Sequence, residues 1–174
     1  MSRYFPHPAY AEDQPLARTI LITHVETRAV TTGAIIGAGI VGVREALQRF
    51  RKTTPSSTPI TPRSQLYLRA AGMTTLWTIG IVSLGLVGRM WGREEIEWKD
   101  RSWRLMENKG QLETDDWTYG GMIAGLAATV LLKRPVGWAT IVGSVGAGSV
   151  AGMVGYMGWK YGVHGGKHPK SGGT

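Results

Sequence analysis

The chain has 174 residues, enough for one domain or a small membrane bundle, with 25 glycines, no cysteine, and 20 Lys+Arg against 12 Asp+Glu for a net charge of +8. Without cysteine, disulfides, zinc ribbons and thiol catalysis are excluded. The glycines follow no collagen period and concentrate in apolar runs, so they read as helix-packing residues, and the positive charge then fits an anionic lipid surface better than nucleic acid.

Residues 1–28 form a polar tail and an amphipathic lead-in. The opening MSRYFPHPAYAEDQP lacks the apolar core of a secretory signal, and Glu12 and Asp13 make it a poor mitochondrial presequence, so mitochondrial targeting would be internal. An extended tail is expected over 1–13. A helix should follow, with Asp13 as cap, Pro15 at the first helical position, and Leu16, Ile20, Leu21 and Val25 on one side. It runs into a first span at about 29–43, AVTTGAIIGAGIVGV, about 22 Å at helical rise. His24, Glu26 and Arg28 just before it are placed at the headgroups, or against a protein partner if the span begins earlier. Arginine at mid-bilayer costs at least about 2.5 kcal/mol.

This span contains GAGIVG, a G-x-G-x-x-G at Gly37, Gly39 and Gly42 like that of dinucleotide-binding enzymes. The context argues against that reading. After Glu45 the next acidic residue is Glu94, and no strand-helix alternation surrounds the motif. A packing face explains it better, with Gly33 and Gly37 four apart and Ala34, Ala38 and Gly42 in the adjacent row.

Arg44, Arg49, Arg51 and Lys52 end the helix and are candidates for anionic headgroups such as cardiolipin. Pro55, Pro59 and Pro62 mark a connector to the second span, about 70–88, bracketed by Arg69 and Arg89. In the polar segment that follows, Trp91, Trp98, Leu105 and Leu112 recur every seven residues, and Ile96, Trp103 and Met106 widen the apolar side. This predicts an amphipathic helix over about 91–109, with Lys109 and Gly110 at its C-terminal end. Trp91, Trp98, Trp103 and Leu105 would rest on headgroups or dock on a partner protein. Glu94, Glu95 and Glu97 read as a solvated face, since adjacent acids on a helix point to different sides.

Thr114, Asp115 and Asp116 supply the cap of a hairpin of two spans, about 117–132 and 136–159, joined by Lys133, Arg134 and Pro135. At about 24 Å and 36 Å against a hydrocarbon core of about 30 Å, one is short and the other long enough to tilt. Gly121, Gly125, Gly148 and Gly152 are its packing residues. Residues 160–174 read as a basic disordered tail. There His164 and His168 have the spacing of a metal pair but no third ligand nearby. The fold class is thus all-α membrane protein, with four Gly-rich transmembrane helices plus an amphipathic inter-span helix. Four spans put both termini on one side, and the basic linker 44–69 points the opposite side toward the matrix or cytoplasm.

No nucleophile, base and orienting group can be assembled, and the apolar blocks contain no ionisable residue except tyrosine. The expectation is a structural role, with no catalytic residue, cofactor or metal site of its own.

Asp116-Trp117, Gly120-Gly121 and Ala124-Gly125 in a four-span, Gly-rich frame resemble the Tim17/Tim22/Tim23 superfamily. The pair YFPHPAY at 4–10 and DRSWRLMENKGQLETDDW at 100–117 resembles fungal NUXM-type accessory membrane subunits of mitochondrial NADH:ubiquinone oxidoreductase, complex I. The resemblance implies a multi-pass inner-membrane location and contacts with other membrane-arm subunits. It implies a role in assembling or stabilising that arm, with redox chemistry left to other subunits. The alternative is a Tim17-like component of an inner-membrane protein translocase.

Overall fold

The computed structural model describes residues 4–51, 62–131 and 137–166. Those residues form five α-helices and no strand: α1 (Ala17–Phe50), α2 (Arg63–Met90), α3 (Glu95–Glu107), α4 (Lys109–Leu131) and α5 (Trp138–Met157). A 3-10 turn at Ala11–Asp13 precedes them and a π-helical turn at Gly158–Val163 extends α5.

The lead-in and first apolar block are one helix of 34 residues, about 51 Å long. Its start lies beyond the expected Asp13 cap. Gln14, 1% exposed, donates through Nε2 to the carbonyls of Pro6 (2.9 Å) and Pro15 (3.1 Å), folding the chain back. Leu16 then takes a left-handed conformation (φ 53°), and α1 begins at Ala17. Residues 4–14 are accordingly a packed segment and not an extended tail. Trp103 Nε1 donates to the Pro8 carbonyl at 3.1 Å, Lys99 Nζ to the Glu12 carbonyl at 2.8 Å, and His7 Nε2 meets Glu107 Oε1 at 2.8 Å.

The amphipathic helix is shorter than its seven-residue repeat. Gly92 at φ 67° breaks the chain after Trp91, which caps α2 and is exposed. α3 then opens with a capping box between Glu94 and Glu97, which gives those two acids a local task. Its apolar side is taken up by the chain itself: Met106 and Leu105 pack with Ile20, Leu112 and Phe5, and Arg18 lies over the Trp98 ring at 5.5 Å. At the other end, Asn108 caps α4 by accepting from the Gln111 N–H at 3.2 Å. Lys109 and Gly110 therefore start a helix instead of ending one, and Thr114, Asp115 and Asp116 sit inside it.

α1 and α2 are antiparallel, as are α4 and α5, while α5 also lies along α2. The N-terminal segment, α3, the start of α4 and the π-helical turn gather at one end of the bundle. The C-terminal ends of α1 and α4 point to the other. Apart from the Ile20, Met106 and Leu112 cluster, most buried positions are small: Ala29, Ala34, Ala71, Thr75, Thr118, Ser149. Trp77, Ile81, Leu84, Ile123 and Val130 face outward. Large apolar side chains outside and small ones inside are the build of a multi-pass membrane protein. Three of the described helical stretches are long and apolar enough to cross a bilayer: Ala17–Phe50, Arg63–Met90 and Trp138–Val163. α4 is outside that set. Its first two turns are polar, and the apolar part from Trp117 to its last residue, Leu131, reaches about 22 Å.

Lys52, Pro55, Pro59, Leu132, the turn 133–135 and His168 lie outside the described residues. Of the expected basic tail, residues 160–163 are helical, and His164 packs on Trp159 with ring centroids 4.3 Å apart.

Candidate functional site

Three seams of small residues and one buried charge cluster hold the helices together. In the first seam, Gly33 and Gly37 of α1 meet the α2 backbone, and a Cβ on either would lie 2.5–2.6 Å from the Cα of Thr75 or Ala71. That approach lets Thr74 Oγ1 donate to the Gly33 carbonyl at 2.6 Å. Interhelical hydrogen bonds of this kind average about 0.6 kcal/mol in a membrane. Gly42 differs from the expectation. Among the described residues it has only the Tyr67 hydroxyl near, at 3.8 Å, because five residues beyond Gly37 it has turned off the seam face, which Val41 continues.

The second seam joins α4 and α5 through four of the expected residues. Gly121 and Gly125 lie against the carbonyls of Gly148 and Ser144, and Gly148 and Gly152 lie against those of Gly121 and Trp117. In each case the facing atoms are backbone, which cannot rotate aside. Spacing of four residues puts each pair on one face of its helix.

The third seam was not anticipated in sequence. Gly72 of α2 meets the Ala139 carbonyl, Gly143 of α5 meets that of Leu68, and a Cβ on Gly146 would lie 2.8 Å from the Ala34 Cβ. A signal existed. α5 carries small residues in two rows, 144/148/152 and 139/143/146, and a helix with two such rows packs on two sides. It is the central helix.

Asp115 of α4, 4% exposed, joins α4 to α1 where the seams do not reach. Its Oδ2 meets His24 Nδ1 at 2.5 Å and its Oδ1 meets Arg28 Nη2 at 2.7 Å. On the adjoining side of α1, Glu26 Oε1 accepts from Ser83 Oγ of α2 at 2.7 Å. Further along, Glu113 Oε2 accepts from the Tyr156 hydroxyl at 2.9 Å. His24, Glu26 and Arg28 therefore lie within α1, before the apolar block at 29–43, and turn toward the chain's own helices. Pairing is the physical reason: a charge at low dielectric is tolerated when its counter-charge is adjacent.

The remaining expected residues are distributed as follows. Trp98, Trp103 and Leu105 are half-buried against α1 and the N-terminal segment, while Trp91 is free of α3 and exposed. Arg44, Arg49 and Arg51 are exposed at the C-terminal end of α1. Gly37, Gly39 and Gly42 lie within a continuous helix, without the strand and tight turn that a dinucleotide-binding fingerprint requires. The arrangement can fix helix positions and present apolar and cationic faces. Among the described residues, no group of three His, Cys, Asp or Glu side chains is arranged to hold a metal ion.

No family model matches the chain, and no curated protein matches it at a significant level.

Proposed function

We propose that this chain is a non-catalytic accessory subunit of mitochondrial NADH:ubiquinone oxidoreductase, embedded in the inner membrane and stabilising the membrane arm through helix packing and lipid contacts. The supporting observation is the meeting of the two stretches on which the resemblance rests. Residues 4–10 and 100–117 are about ninety positions apart, yet they pack as one unit through His7 with Glu107 and Trp103 with Pro8. A joint surface at one end of the bundle is what a subunit needs to be recognised by neighbours. The outward Trp77, Ile81, Leu84 and Val87 of α2 would face other membrane-arm helices or lipid.

In this reading α4 is the fourth crossing. It runs antiparallel to α5 along a glycine seam and is free of charge from Trp117 onward. Its apolar length of about 22 Å is met by local thinning of the bilayer or by the neighbouring α5. Four crossings return both termini to one side.

The test is native-gel fractionation of gently solubilised mitochondrial membranes with mass spectrometry of each slice. Co-migration with the core NADH dehydrogenase subunits is expected. A peak beside import-channel components would replace this reading with the translocase alternative, and a free small species would remove both.

A further inference from the structure

One face of α1 is left uncovered by the described residues. Ile36, Ile40, Val43, Leu47 and Phe50 follow each other at spacings of four and three, so they form a single row, and all are 46–85% exposed. Beside that row runs a shallow groove of about 650 Å³, lined by Gly39, Ile40, Val43, Arg44, Leu47 and Arg51. The inner part of the groove, Gly39, Ile40 and Val43, carries no polar side chain, while the outer part carries Arg44, Gln48 and Arg51 around Leu47. Arg44 and Arg51 form no ion pair among the described residues, and they stand seven residues, about 10 Å, apart along the axis.

Gly39 gives the groove its depth. A Cβ there would meet nothing within 4 Å among the described residues, so no close approach between them requires glycine. A helix-interior glycine is nonetheless less favourable than alanine by about 0.5–1 kcal/mol. The residue makes sense if something from outside lies over it.

We propose that this groove binds an anionic phospholipid, with an acyl chain along Gly39, Ile40 and Val43 and the phosphate held at the level of Leu47 between Arg44 and Arg51. Charge order selects this occupant. Apolar inward and cationic outward is the order of acyl chain and headgroup, and long arginine side chains reach from an apolar stem to the headgroup level. An apolar partner helix would leave both guanidinium groups unmatched. The inference rests on α1 being a membrane span and is independent of which complex holds the chain. Arg49 does not line the groove, and this separates a defined site from a general attraction to basic charge.

The experiment is native mass spectrometry of the full chain, purified in mild detergent, stripped of lipid and titrated with cardiolipin or with phosphatidylcholine. Cardiolipin should bind at least about tenfold more tightly. Replacing both Arg44→Gln and Arg51→Gln should weaken it about thirty-fold, the equivalent of about 1 kcal/mol for each basic residue near an anionic surface. Arg49→Gln should leave it unchanged. Gly39→Leu should abolish retention while the unfolding midpoint stays at or above that of the unaltered chain. Equal binding of the two lipids, equal loss in Arg49→Gln, or undiminished binding in Gly39→Leu would overturn the proposal. So would a stoichiometric polypeptide that copurifies and is released by Gly39→Leu, since a helix would then be the occupant.

Discussion

Gly120 and Gly121 are neighbours on α4 and should respond in opposite directions to the same added methyl. A Cβ at Gly121 would press on the carbonyl oxygen of Gly148 and lie 3.0 Å from both the Gly148 carbonyl carbon and the Gly152 Cα. A Cβ at Gly120 would meet nothing within 4 Å. Since all the atoms facing Gly121 are backbone, relief requires α4 and α5 to part. A gap of about 0.5–1 Å forfeits roughly a quarter to a half of the dispersion well at each contact, and overpacking of this kind costs about 1–3 kcal/mol. Alanine at Gly120 instead gains about 0.5–1 kcal/mol of helix propensity. For a chain of this size 1 kcal/mol corresponds to about 2–4 °C in unfolding midpoint. Thermal unfolding in detergent, followed by tryptophan fluorescence, should therefore show Gly121→Ala several degrees below the unaltered chain and Gly120→Ala level or slightly above. The paired variant Gly121→Ala with Gly148→Ala should cost less than the sum, because both methyls enter one seam that has already opened. Equal shifts at 120 and 121 would refute the seam.

Two further perturbations test the end of the bundle where the charges lie. Asp115→Asn leaves Arg28 without its counter-charge and His24 without its carboxylate partner, and the loss should approach the lower end of the roughly 3–5 kcal/mol seen when one partner of a buried pair is removed, since Arg28 keeps some access to water. An unfolding midpoint unaffected by this change would mean that α4 is held to α1 by other contacts. Trp103→Phe keeps an aromatic ring but removes the indole N–H that donates to Pro8, a hydrogen bond worth about 1 kcal/mol, together with part of the packed ring. Hydrogen exchange over residues 4–14 should rise severalfold, and undiminished protection there would show that the segment does not depend on α3.

The glycine seams were readable in advance where the glycines repeat at four-residue spacing on one helix, as at Gly33/Gly37, Gly121/Gly125 and Gly148/Gly152. Such spacing places them on one face whatever the partner is. Gly72 escaped because its neighbour Ala139 belongs to a helix far along the chain, and nothing local indicates which side of α2 is covered. The amphipathic helix shows the reverse error. Trp91, Trp98, Leu105 and Leu112 keep a seven-residue interval in sequence, but the helix is broken at Gly92 and again at Asn108, so the four never share a face. Periodicity identifies a face only where the backbone stays helical throughout.

The partners of the charged residues were not legible either, for a different reason. A hydropathy reading treats each charge as isolated in lipid, where it must mark a boundary, and so it set His24 and Arg28 before one span and Asp115 before another. Brought together, the same three residues compensate one another, and neither helix has to stop at them. The partners are 91 positions apart, His24 to Asp115, beyond any local pattern. α1 can therefore continue from the N-terminal platform through the apolar block as one rod. The segment 4–14 and α3 close over its first turns, and the described residues leave the row from Ile36 to Phe50 open on its outer side.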